Sequence, residues 1–267
     1  MDAPSDSHQS SPREMPAIPG TLTLVRIFIR SLSIQSSWNF SKMQNTGFVY
    51  SIIPLVKKLA GDRDRTIQIL TRHSGFFNTH PYFASPIIAS TVRLEADATD
   101  KDGCAEAVEL KKVLMSPYAA AGDPFFWGAM KPFAAVAGVI LALRGIIVAP
   151  LVFLLLFNSV HLWFRAAGFI KGYRDGKGAF TFVNGINFPA WTRRIKWALT
   201  PLCALLAFHL YVMTGAETGT AAALVTGAAV LGTILACCWL IARGVASHVI
   251  LYGTALFFLV ITALGAV

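Results

Sequence analysis

Hydrophobic positions divide this chain into a mixed first half and a strongly apolar second half. From Thr21 to Ile34 the apolar residues Leu24, Val25, Phe28, Ile29 and Leu32 recur at helical spacing, with Arg26 and Arg30 away from the centre of that face. This predicts an amphipathic helix, too polar to span a bilayer, that lies at an interface or packs on a partner. Gly47 to Val56 is apolar, ends at Lys57 and Lys58, and falls short of the roughly 20 residues a spanning helix needs. The stretch GDRDRTIQILTRHSG that follows is charged and reads as solvated.

Two interrupted apolar segments come next. Residues 76–92, FFNTHPYFASPIIASTV, contain Pro81 and Pro86; residues 113–130, VLMSPYAAAGDPFFWGAM, contain Pro117, Gly122, Pro124 and Gly128. The acidic stretch RLEADATDKDGCAEAVELKK separates them. Each is close to bilayer length, and neither reads as a clean spanning helix. Beyond Lys131 the apolar signal strengthens, with helices predicted over 132–143, 146–164, 195–213, 219–241 and 247–266. The 132–143 piece is short, so 132–164 also reads as a bent hairpin that does not fully cross. Small residues in TGTAAALVTGAAVLGTILA predict close helix packing.

Charge adds an orientation. The net charge is +9, and after Asp123 the only acids are Asp175 and Glu217. The basic loop 165–196 is expected on the cytoplasmic side, the base-free loop TGAETG at 214–219 outside, and Arg243 inside. Arg144, placed outside by this scheme, runs against it. Residues 1–20 are polar and proline-rich, lack the order of a cleavable signal, and read as a disordered cytoplasmic tail. Composition agrees with a membrane protein: 55 % hydrophobic and 14 % charged residues, against about 25 % charged in soluble domains, with a mean hydropathy of +0.57. The basic residues flank apolar runs, which argues against nucleic acid as the partner.

Cys104, Cys203, Cys237 and Cys238 form no C-x-x-C pair, and neither a disulfide nor a zinc site is expected. No nucleotide loop, nucleophile elbow or metalloprotease motif occurs, and His161, His209 and His248 stand singly. The polar residues that invite a function lie in the interrupted segments. Pro81 would free the carbonyl of Phe77 beside Asn78, Thr79 and His80. Broken helices in transporters present such groups to polar substrates within the membrane; an ordinary kink, with Asn and Thr satisfying backbone groups, is the alternative. Asp123, between Gly122 and Pro124, reads either as an N-cap before a proline-initiated helix or as an intramembrane acid at a binding site. Trp38 and Asn39 in SSWNF offer an aromatic face and an amide, the pairing that suits a sugar, although Trp is also common at membrane interfaces.

The motifs SSWNFSKMQNTGF, RHSGFFNTHPYFASPI and KVLMSPYAAAGDPFFWGAMKP, followed in order by PLVFLLLFN, resemble the IID subunit of mannose/fructose/sorbose-family permeases of the sugar phosphotransferase system, over roughly residues 25–178. The resemblance implies a bacterial inner-membrane subunit with a cytoplasmic N-terminus that pairs with a IIC subunit. It also implies a trimer of IIC–IID pairs, with phosphate reaching the incoming hexose through cytoplasmic IIA and IIB. IID would then be non-catalytic and need no cofactor. Carried onto this chain, the implied substrate-binding residues are Trp38, Asn39, Asn78, Thr79, His80 and Asp123. The chain departs from the pattern at SPYAAAGD, where the family prefers a Gly-Pro-Leu-Ala-Gly start, and at the acidic pair reduced to RLEAD; the likeness fades beyond about residue 180. A regulatory paralogue without transport and an independent small-solute transporter are the rival readings.

The expected fold is therefore an all-α integral membrane protein, with re-entrant and interfacial broken helices in the first half and a transmembrane helix bundle in the second. The expected division is a tail over 1–20, a IID-like core over 21–178 and C-terminal transmembrane helices over 179–267.

Overall fold

The computed structural model describes residues 18–61, 63–98, 101–215, 227–228, 231–237, 239–240, 243 and 245–263. Residues 1–17 of the expected tail, the loop 214–219 beyond Gly215, most of the helix expected over 219–241 and the last residues of that over 247–266 lie outside this set. The described residues are helical. They form α1 (Thr21–Ser31), α2 (Asn45–Leu59), α3 (Arg63–His73), a 3-10 turn (Pro81–Phe83), α4 (Ala84–Asp97) and α5 (Lys101–Gly122). A π-helical segment (Asp123–Met130) then leads into α6 (Lys131–Leu143), followed by α7 (Ala149–Asp175), α8 (Gly178–Asn184), α9 (Phe188–Gly215) and α10 (Ser247–Ala263). The chain clusters into two compact units, Met1–Leu206 and Ala207–Val267.

The centre of the first unit is α4. Nearly every residue from Ala84 to Val92 is buried, because α2, α5, α7 and α8 all pack on it. Its small side chains allow this, and so does its partner. Gly168 and Gly172 lie one turn apart on α7, where an added Cβ would stand 2.7 Å from Pro86 Cγ and 2.5 Å from the Pro86 carbonyl oxygen. This small-x-x-x-small face brings two helix backbones together, and Ser90 Oγ donates to the Gly172 carbonyl across it (3.1 Å). Pro86 sits in the first turn of α4, where its missing N–H would have had no helical acceptor.

The two interrupted segments behave differently. Residues 76–83 are broken as expected: an extended stretch reaches His80, and the 3-10 turn then leads into α4. Residues 113–130 are not broken. Cys104–Leu143 forms one continuous 40-residue helical stretch that is charged at its start and holds an apolar window long enough to cross a membrane, and it is twice the roughly 20 residues that a bilayer core needs. Pro117 lies within α5, and Pro124 enters the π-helical segment. The wider turn of that segment shifts the hydrogen-bond ladder, so the proline does not sever the rod.

Two boundaries also move. The 132–143 piece is the end of this rod, and it turns back at Arg144–Val148 into α7, which packs on α6. The basic segment does not begin a loop at 165, because α7 continues to Asp175. Arg165 is buried inside it, its guanidinium donating to the Ser31 carbonyl (3.3 Å) and lying 5.0 Å over the Tyr82 ring. On α1 the expected apolar stripe divides: Leu24 and Phe28 pack on the core with buried Ile27, while Leu22, Val25, Ile29 and Leu32 stay exposed.

Candidate functional site

The break before α4 is held in place by the first sequence motif. Met43 adopts a left-handed backbone (φ 57°), and the turn it closes pairs with the extended stretch. Gln44 N–H donates to the Phe77 carbonyl (2.8 Å) and Phe77 N–H to the Lys42 carbonyl (3.3 Å). The carbonyl that Pro81 leaves without a helical donor is thus satisfied from α2's start. Gln44 then grips both backbone groups of Thr79: its Nε2 donates to the carbonyl (2.9 Å) and its Oε1 accepts the N–H (3.3 Å). Thr79 Oγ1 donates to the Met115 carbonyl (3.1 Å), fastening the stretch to α5.

Asn39 belongs to the same buttress. Its Oδ1 accepts the Lys42 N–H (2.8 Å) and its Nδ2 donates to Asn45 Oδ1 (2.9 Å), while Asn45 Nδ2 donates to the Ser74 carbonyl (2.8 Å). Trp38 is half-exposed, with its ring edge against Phe40 inside the same turn. Asn78 is exposed, and its N–H points at Met115 Sδ (3.3 Å).

His80 and Asp123 are brought together. His80 Nδ1 lies 2.7 Å from Asp123 Oδ1. The imidazole is fully buried, stacked on Phe126 (5.0 Å between ring centroids, 7° between planes) and edged by Tyr82 and Trp127. The carboxylate is 53 % exposed. Gly122 makes the approach possible: a Cβ there would stand 2.4 Å from His80 Cβ and Cγ. Asp123 is not an N-cap, because Gly122 is itself helical (φ −75°, ψ −45°) and no side-chain cap bond forms. Where Nδ1–H is the donor of this contact, Nε2 is left as an acceptor, and Nε2 is buried with no hydrogen-bond partner. An exposed amide, a half-exposed carboxylate and an unpartnered imidazole nitrogen suit a ligand rich in hydroxyls. Among the described residues no cluster of three His, Cys, Asp or Glu side chains could hold a metal.

A second pair stands nearby in sequence. His73 Nε2 lies 2.7 Å from Glu95 Oε1 with both side chains buried, and Arg72 approaches the same oxygen (3.7 Å). Buried Lys111 donates to the His73 carbonyl (3.0 Å) and sits 4.6 Å over the Phe48 ring. Burial pulls His73 below the ordinary histidine pKa, outweighing the upward pull of its Glu95 bond.

Gln44, Met115 and Phe126 carry no mark in the sequence beyond their place in its motifs, and Gly122 reads there only as an interruption beside Asp123. His161, read as solitary, stacks on Tyr82 (4.3 Å) and bonds Asn158 (2.8 Å). A signal for it existed: Asn158, His161 and Arg165 fall on one face of an apolar helix.

The family model for the mannose/fructose/sorbose family IID component of the phosphotransferase system matches residues 21–267. The mannose-specific EIID component of Escherichia coli K12 is 38 % identical over 155 residues, 56 % of this chain and 54 % of that protein. The fructose permease IID component of Bacillus subtilis is 39 % identical over 152 residues, 56 % of this chain and 55 % of that one. The matched region spans about half the length of these curated relatives. Among solved structures, a chain of the mannose transporter ManYZ in complex with microcin E492 is similar with a TM-score of 0.57 and 28 % identity, covering 93 % of this chain and 98 % of that chain. A structure described as a membrane protein reaches a TM-score of 0.69, also at 28 % identity, covering 92 % and 97 %.

Proposed function

Since the chain belongs to the mannose/fructose/sorbose family of phosphotransferase-system IID components, we propose that it is the membrane subunit through which, with a IIC partner, a hexose crosses the bacterial inner membrane. Phosphate reaches that sugar through IIA and IIB, and this chain makes no covalent bond to it. Trimeric assembly of IIC–IID pairs and a cytoplasmic N-terminus belong to the same proposal.

The observation that carries it is the His80–Asp123 contact, in which a broken segment meets the π-helical turn of a span-length helix. Asn78 and Asp123 supply the exposed groups that meet sugar hydroxyls, His80 holds the Asp123 carboxylate from behind, and Trp38 offers an apolar face. Thr79 and Asn39 act one step back, holding the extended stretch in register through Met115 and Asn45. A π-helical turn is easily shifted by one residue, which suits a site that must release its ligand toward the cytoplasmic phosphoryl donor.

The test is uptake of labelled hexose in cells that carry this chain with its IIC partner and the IIA and IIB carriers, omitting one component at a time. The proposal expects phosphorylated sugar to accumulate only with the full set. Uptake by this chain alone would make it an independent transporter. No uptake of any hexose by the full set would make it a regulatory scaffold.

A further inference from the structure

A groove of about 510 Å³ runs between the end of α5, with Pro124 just beyond it, and the first turns of α9, and none of the proposed sugar-binding residues lines it. Its walls are apolar and include Ala121, Pro124 and Phe188; its rim is Arg193, Lys196 and Trp197. The three rim residues share one face of α9, at helical spacings of three and four. Among the described residues no ion pair engages Arg193 or Lys196. Trp197 is 74 % exposed.

We propose that this groove binds an anionic phospholipid, its phosphate between Arg193 and Lys196 and an acyl chain along the apolar wall. Three features point to a lipid. Within one turn α9 passes from Arg193, Arg194 and Lys196 to an apolar run that keeps Leu205 exposed, and basic residues followed by Trp mark a membrane–water interface. The groove joins a cationic mouth to an apolar floor, the polarity of one phospholipid molecule. No carboxylate among the described residues pairs with these cations, so a headgroup with net negative charge is favoured over a zwitterionic one. Pro124 lines the floor and is the neighbour of Asp123, so the lipid would brace the start of the π-helical segment.

The experiment reconstitutes the full chain in phosphatidylcholine vesicles that carry about one-tenth brominated phosphatidylglycerol, or the same fraction of brominated phosphatidylcholine. The fluorescence difference between the parent chain and Trp197→Phe isolates the Trp197 signal. Two cations at the surface are expected to enrich the anionic lipid beside Trp197 about tenfold, an enrichment that salt weakens. Arg193→Gln with Lys196→Gln removes the preference, and the charge-keeping pair Arg193→Lys with Lys196→Arg retains it. If the neutral pair does not fold, the salt titration of the charge-keeping pair decides, and an enrichment indifferent to salt overturns the proposal. Equal quenching by the two lipids, or a preference that survives in a folded neutral pair, also overturns it. So does loss of the preference when the IIC partner is added, because an acidic protein face would then be the occupant.

Discussion

His73–Glu95 and His80–Asp123 are built on the same contact, an imidazole nitrogen 2.7 Å from a carboxylate oxygen, and differ in what surrounds the carboxylate. Glu95 is 2 % exposed and also faces Arg72, while Lys111 donates to the His73 carbonyl beside it. Asp123 is 53 % exposed, whereas the far ring nitrogens of both histidines, His73 Nδ1 and His80 Nε2, are buried without a hydrogen-bond partner. The first pair is a closed lock that joins α3, α4 and α5. The second is open on the acid's side. The same contact is thus sealed in one place and reachable in the other, and only the reachable one fits the proposed sugar site.

Breaking the closed pair has the largest expected effect. Glu95→Ala leaves the buried His73 Nε2 without a partner and Arg72 without its carboxylate, and leaving such buried polar groups unmatched costs about 2–3 kcal/mol. Thermal unfolding of the chain in detergent is expected to show a large drop in melting temperature. A melting temperature near that of the parent would show that the lock bears little of the fold.

Next comes the approach of His80 to α5. Gly122→Ala places a methyl group 2.4 Å from His80 Cβ and Cγ. Overpacking of this kind costs about 1–3 kcal/mol, and because His80 must move, hexose uptake is expected to fall with it. Uptake at parental level would mean that the contact is dispensable.

A smaller effect is graded by pH. The folded pKa of His73 is lowered, so from about 6.5 downward the unfolded chain takes up a proton that the folded chain refuses. Stability from this group is complete above about pH 6.5 and is lost as pH falls through the lowered folded value, at up to about 1.4 kcal/mol per pH unit. Unfolding measured across this range is expected to show a slope that His73→Asn reduces. An unchanged slope would assign the acid sensitivity to another group.

What the sequence made legible follows a physical division. The break at Pro81 was readable because a proline after three hydrogen-bonding residues has few other solutions. The rod through Pro117 and Pro124 was not, since residue type alone does not say whether a wider turn will absorb a proline. Arg165 read as the edge of a loop because the Ser31 carbonyl that holds it lies 134 residues away in sequence. Asn39 and Thr79 were found as polar residues in the right motifs. Only the coordinates show their atoms bonded to Asn45, Lys42 and Met115. Gly168 and Gly172 lay in plain view at the right spacing, but their partner, Pro86 on α4, is set by tertiary packing.

The measurement that tests the open pair most directly is hexose uptake by Asp123→Asn and Asn78→Ala, each expressed with the IIC partner, alongside copurification of the two subunits. Asp123→Asn keeps the side chain's shape and removes its charge, a change worth about tenfold or more in binding where a charged hydrogen bond is lost. The account predicts that uptake collapses in both variants while the subunits still copurify. Parental uptake in both would contradict it and leave His80–Asp123 as a second structural lock.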